Sequence, residues 1–201
     1  MAFRHRDDVM SPISGCQRWL RYWRHLADVG FPANDPIYRL FAADVLHDGE
    51  IRIKWINLGK RTVTMEFRNV YAVDQVYSHL KDKGIDDPPI DRRDFRTGIR
   101  FQEVELFGCK LQRPTRPVYY QSSELTRAGS SVRLRIGYLS EWKESLIEIV
   151  FGAAEVEDIT PKIQKYLGKA VNAQAIISWV TDAPTHYVAE CEARLKRMTR
   201  R

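Results

Sequence analysis

The sequence predicts an α+β fold, an antiparallel sheet of about five to six strands packed with N-terminal and C-terminal helices. Three observations predict it. Between residues 43 and 157 apolar and polar residues alternate in several short runs, the period of strands with one buried face. On both sides of that stretch apolar residues recur at helical spacing, the pattern of helices with one buried stripe. Hydrophobic residues make up 44% of the 201 residues, enough for a packed core. The expected organisation is N-terminal helices over 1–42, a sheet domain over 43–157 and a C-terminal helical extension over 158–201.

The first helix is expected over 12–29, where Trp19, Leu20, Trp23 and Leu26 form a stripe that Gly30 ends. Asp35-Pro36 opens a short helix, a capping residue followed by proline at the first turn. An extended segment over 43–47 then meets Asp48-Gly49, where glycine supplies the positive φ of a tight turn. Ile51, Ile53 and Trp55 alternate with polar neighbours, and after a turn at Asn57–Lys60 so do Val63, Met65 and Phe67. The period then changes. Val73, Val76, Tyr77 and Leu80 predict a helix over 72–83, stopped by Gly84. A long charged loop over 84–98 follows, the expected internal boundary. Further strands are expected near 100–107, 117–121, 132–139 and 145–156, the last apolar enough to be covered on both faces. Thr160-Pro161 opens a helix through Val180, and another starts at Thr185.

Composition narrows the function. Lys and Arg number 32 against 26 Asp and Glu, a net charge of +6, which favours anionic partners. No run approaches the roughly 20 apolar residues of a membrane span. The charged start, Met1 to Asp8, lacks the apolar region of a secretory signal, and the expected location is cytoplasmic. Cys16, Cys109 and Cys191 are far apart and form no CxxC pair, so no zinc site or disulfide framework is expected. His5, His25, His47, His79 and His186 are scattered, and no metal site is expected. No serine-hydrolase, zinc-protease, phosphate-loop or dinucleotide fingerprint occurs in the sequence. No catalytic residue is assigned, and no cofactor is specified.

Two family resemblances add to this. The β-β-α block followed by a β-β-β block is the layout of a PAS domain. Tyr22-Trp23-Arg24, Phe31-Pro32 and Asp35-Pro36 resemble the opening of small bacterial PAS-like regulators. Arg116-Pro117-Val118-Tyr119, Tyr138-Leu139-Ser140 and Phe151-Gly152 resemble its close. The resemblance implies a ligand pocket between the sheet and the 72–83 helix, lined by Trp55, Phe67 and Tyr77. It also implies dimerisation through the flanking helices at 12–29 and 160–180. Arg92-Arg93-Asp94-Phe95-Arg96, just before a strand, resembles the RxxxR lead-in of a PilZ domain, which binds cyclic di-GMP. Arginines four apart can clamp phosphates and stack on guanine. Gln121-Ser122-Ser123-Glu124-Leu125 does not match that family's second motif.

The leading expectation is a non-catalytic bacterial regulatory or sensory module that binds a small ligand or a protein partner. The second is an anion-binding module, for a cyclic dinucleotide or, less favoured, a nucleic acid. It would use Arg92, Arg93, Arg96 and Arg100, with Arg133 and Arg135 as a neighbouring strand face. The third is a structural subunit or an enzyme without a recognisable motif.

Overall fold

A computed structural model describes Gln17, Leu20, Ile37, Leu40, Phe41, Leu46 and residues 48–109, 118–140, 143–157, 160–168 and 189–197. Eight antiparallel strands form one sheet: β1 (Glu50–Asn57), β2 (Thr62–Arg68), β3 (Arg96–Gln102), β4 (Leu106–Cys109), β5 (Val118–Ala128), β6 (Ser131–Ser140), β7 (Lys143–Phe151) and β8 (Ala153–Val156). Helix α1 (Val70–Asp82) joins β2 to β3, a 3-10 turn (Arg92–Asp94) leads into β3, and α2 (Thr160–Leu167) follows β8. Residues 189–197 are helical. The expected helix over 12–29 lies almost wholly outside the described residues, as does the part over 169–180 of the helix expected from Thr160 through Val180.

The expectation of five to six strands is therefore corrected to eight, and two breaks account for the difference. The run read as one strand near 100–107 breaks at Glu103, whose φ is 53°. The run read over 145–156 breaks at Gly152, between β7 and β8. The breaks face each other. A Cβ on Gly152 would collide with the Glu103 carboxylate. Pairing continues across them, through Gly152 N–H to Gln102 O (3.1 Å) and Glu105 N–H to Val150 O (2.8 Å). Two paired strands thus bend together, as barrel corners require.

That bend closes the sheet. The strand order is β4-β7-β6-β5-β1-β2-β3-β8. Its ends, β4 and β8, continue β3 and β7, so β3–β4 pairs along β8–β7 and the order returns on itself. The sheet therefore hides its apolar face by closing, where the sequence suggests a layer covered by helices. Val63, Met65 and Phe67 of β2 point inside, with Ile99 and Phe101 of β3, Leu134 and Ile136 of β6, and Ile147 and Ile149 of β7. Leu146 is exposed, so β7 is not covered on both faces along its whole length, though Ile149, Val150 and Phe151 are buried in succession at its end. Closure is weakest between β1 and β5, which share only two residue pairs, Glu50 with Tyr119 and Ile51 with Val118. Beyond them an irregularity in β1 between Ile53 and Trp55 bends the strand. Phe41 packs into this core, 5.7 Å from the Phe67 ring and 6.3 Å from Tyr120. The Tyr120 hydroxyl donates to Ser123 Oγ, which donates to the Phe41 carbonyl.

The Asp48-Gly49 turn differs from the expectation in an instructive way. Asp48 takes the positive φ, 57°. Gly49 is needed for space, because a Cβ there would collide with the Arg68 carbonyl oxygen. Asp48 N–H donates to Tyr120 O and Tyr120 N–H to Gly49 O, so this turn ties β1 to β5. Leu46 lies in a turn rather than an extended segment.

A second, smaller apolar cluster lies apart from the first. Ala72, Val73, Val76 and Leu80 of α1 meet Phe95, and Ile163 and Leu167 of α2. Asn69 anchors it to the sheet. Its Oδ1 caps α1 by accepting from Ala72 N–H (2.9 Å), and its Nδ2 donates to Thr97 Oγ1 (3.3 Å). All of this residue is buried.

Candidate anion-binding cluster

At one end of the barrel β1 begins, β2 ends, β3 begins and α2 starts. The outward positions there carry cationic side chains, because inward positions are taken by the core. Arg68 and Arg96 stand opposite each other in the β2–β3 ladder. Directly opposed like charges repel, so something must hold them. Glu50 does part of it. Its carboxylate accepts from Arg96 Nη2 at 3.0 Å and from Arg52 Nε at 2.7 Å. Side-chain exposure is 13% for Arg96 and 15% for Glu50, so this pair is largely out of water. Burial pushes the Glu50 carboxyl up, but the guanidiniums of Arg52 and Arg96 outweigh it and hold it below the ordinary carboxylate range. On the α2 side, Lys162 Nζ donates to the Arg96 carbonyl (3.1 Å) and to Glu157 (2.8 Å). Glu157 folds across Gly98, where a Cβ would lie 2.8 Å from its Oε2.

Five cations, Arg52, Lys54, Arg68, Arg96 and Lys162, thus meet three carboxylates, Glu50, Glu66 and Glu157. The imbalance has a geometric counterpart. Arg68 Nε and Arg96 Nη1 are buried and have no hydrogen-bond partner among the described residues. A buried unpaired donor costs about 1–3 kcal/mol, more when charged. Such N–H groups suit an acceptor that carries negative charge.

The sequence-predicted residues distribute unevenly around this point. Arg96 is at its centre. Arg92 is exposed on the 3-10 turn that feeds β3, and its side chain has no partner among the described residues. Arg93 is bound by Asp91, with Nε to Oδ1 at 3.0 Å and Nη2 to Oδ2 at 3.1 Å. Arg100 is exposed on the same face of β3, opposite Thr64 and Glu155. At the rise of a strand it stands about 13 Å from Arg96, too far to share one phosphate. Arg133 and Arg135 of β6 form ion pairs with Glu148 at 3.3 and 3.2 Å, but only Arg135 hydrogen-bonds it, and the buried Arg133 Nε has no hydrogen-bond partner among the described residues.

Trp55, Phe67 and Tyr77 are not brought together. Phe67 is fully buried inside the barrel, Trp55 is 63% exposed outside it, and the Tyr77 hydroxyl donates to the Asp86 carbonyl. Arg68 was missed by sequence reading. It is an outward residue of a strand that alternates cleanly, and only the pairing with Arg96 gives it meaning.

The lead-in to β3 is stapled to α2. Tyr166 accepts from Asp91 N–H (2.9 Å) and donates to Asp94 (2.8 Å), and its ring stacks on Phe95 at 5.2 Å. Lys165 Nζ reaches Asp94 at 2.6 Å. The Lys165 and Tyr166 bonds hold the Asp94 carboxyl below its ordinary range. No group of three or more His, Cys, Asp or Glu fit to hold a metal occurs among the described residues, and no described helix is long and apolar enough to cross a membrane. No family model matches the chain, and neither a curated protein nor a solved structure matches it.

Proposed function

We propose that this chain is a non-catalytic binding module that recognises a phosphate-bearing ligand, a cyclic dinucleotide foremost, at the Arg68–Arg96 cluster. One observation carries the reading: two buried guanidinium N–H groups on paired residues have no acceptor among the described residues. Phosphate oxygens suit such donors in charge and geometry. Guanidiniums do not give up a proton near neutral pH, so the cluster fits holding a charge rather than moving protons. Arg92 at the lead-in and Arg100 along β3 are spaced for the outer parts of a ligand larger than one phosphate.

A compact ligand fits better than an extended nucleic acid. The strand of Arg133 and Arg135, β6, pairs with β5 and β7 and adjoins neither β2 nor β3, and its charges face carboxylates, with Glu148 near Arg133 and Arg135 and Glu124 also near Arg135. Trp55, Phe67 and Tyr77, the pocket residues that the PAS-like resemblance implies, lie apart and take no part in the site proposed here. The test is isothermal titration calorimetry with cyclic di-GMP and with a short single-stranded oligonucleotide. The dinucleotide should bind more tightly. Arg92→Glu, at an exposed position, and Arg68→Gln should each weaken it, and affinity should fall as salt rises. Affinity indifferent to both substitutions and to salt would dispose of the reading.

A further inference from the structure

We infer that the β1–β2 hairpin tip is a membrane-docking element that seats on an anionic lipid surface. The observation is an apolar tip in a basic collar, at the opposite end of β1 from the arginine cluster. Trp55 is 63% exposed, Ile56 44% and Leu58 81%. These three are consecutive or nearly so, at the end of a hairpin closed by Asn57 Oδ1 accepting from Lys60 N–H and by Arg61 N–H donating to Leu58 O. Elsewhere β1 buries Ile51 in the core. The irregularity between Ile53 and Trp55 shifts the alternation, so Trp55, opposite Thr64, turns outward, while Ile56, opposite the inward Val63, lies on the inner face at the hairpin end and is still 44% exposed.

Charge selects the occupant. From Ile53 to Met65 there is no Asp or Glu, while Lys54, Lys60 and Arg61 are all present. Lys54 is shared with Glu66. Lys60 and Arg61 have no carboxylate partner among the described residues; Arg61 donates to the carbonyls of Val104 and Glu103. A convex, turn-ended projection with a tryptophan, two aliphatic side chains and flanking lysine and arginine matches a bilayer interface. There tryptophan sits at headgroup level, aliphatic groups enter the acyl boundary and cations meet anionic headgroups. A second copy of this chain would have to offer an acidic hollow instead.

The experiment is vesicle co-sedimentation of the full chain. Vesicles of phosphatidylcholine alone are compared with equimolar phosphatidylcholine and phosphatidylserine. The chain should sediment with the anionic vesicles and stay in solution with the neutral ones. Leu58→Asp should abolish sedimentation, and Lys60→Gln should weaken the partition about fivefold, the effect of one basic residue near a charged surface. Arg68→Gln should leave it unchanged, which separates this surface from the arginine cluster. Brominated lipids should quench part of the tryptophan fluorescence, and Trp55→Phe should remove that quenched part. The quenching itself is read on the parent chain, and Trp55→Phe changes a side chain that is 63% exposed. Failure to sediment with either vesicle would overturn the inference. So would equal sedimentation of Leu58→Asp, or a dimer in light scattering that Leu58→Asp turns into monomer.

Discussion

Replacing Glu50 by Gln should make the fold weaker and the anion site stronger, and that opposition of signs is what the cluster geometry demands. Glu50 is the one carboxylate that bridges Arg52 and Arg96, at 2.7 and 3.0 Å. Glutamine keeps the shape and one acceptor but removes the charge. Breaking a largely buried pair from one side costs about 3–5 kcal/mol. The retained hydrogen bond brings this below that range, to about 2–3 kcal/mol. For a chain of this size that lowers the melting midpoint by about 4–12 °C. The effect on binding runs the other way. Hydrogen bonds of about 3 Å on the two sides of the Arg96 guanidinium would put a phosphate on the order of 6 Å from the Glu50 carboxylate. Their repulsion is then about 0.7 kcal/mol at the dielectric constant of water and about 3 kcal/mol at an effective value of 20. Removing it should tighten binding by at least about threefold. The assay pairs thermal unfolding without ligand with calorimetric titration of pyrophosphate and of cyclic di-GMP. Arg96→Gln is the control and should weaken fold and binding together. If Glu50→Gln costs stability and leaves affinity unchanged or lower, the arginines are a structural ion network and the anion site is wrong.

The remaining predictions probe the frame around the site. Gly49→Ala should destabilise by about 2–3 kcal/mol or more in chemical denaturation, because its Cβ meets the Arg68 carbonyl, a backbone atom that cannot swing aside. Asn69→Ala removes the cap of α1 and leaves Thr97 without its donor, a loss of about 2–3 kcal/mol by the same assay. Tyr166→Phe should cost about 1 kcal/mol and, by loosening Asp91 and Asp94, should increase amide exchange at residues 91–95. Glu50 also predicts a pH dependence. Its carboxyl is held below the ordinary range, so its stabilising contribution is complete above the unfolded value of about 4.3 and disappears as pH falls through the lower folded value. Glu50→Gln should therefore unfold with a flatter acid limb than the parent.

How much of this was legible in the sequence depends on whether the signal was local. Alternation in β2 and β6 was readable because each strand has one wet and one dry face, and Val63, Met65 and Phe67 or Leu134 and Ile136 fall every second residue on the dry one. The helix at Val70–Asp82 was readable from its stripe and from Gly84, which does adopt a positive φ of 81°. Closure was not readable. It depends on β3–β4 finding β8–β7, residues some 50 apart in the chain, and on matching bends at Glu103 and Gly152. Glu103 gives no warning, since positive φ is uncommon for a glutamate. Gly49 was noticed for the wrong reason, dihedral freedom instead of a close backbone approach. Arg96 was legible as part of an arginine run. Its partners Arg68 and Glu50 were not, because they lie 28 and 46 residues away.

The position of the cluster follows from the way the barrel closes. An outward-facing strand residue usually spends its charge on water, and a salt bridge there contributes about 1 kcal/mol at most. Arg96 differs because the start of β3 is overhung by α2, whose Lys162 bonds the Arg96 carbonyl, and flanked by the first residue of β1. Those neighbours exclude water from Arg96 Nη1 and leave it no protein acceptor among the described residues. Such an arrangement is unfavourable as pure scaffold, since replacing buried ionic groups with apolar ones is often neutral or stabilising. An outward Leu or Thr at positions 68 and 96 would satisfy the strand pattern and remove the opposed charges. The stability forgone at these two positions is the quantity that binding of an anion would restore, so ligand should raise the melting midpoint of the parent and leave that of Arg68→Leu unmoved.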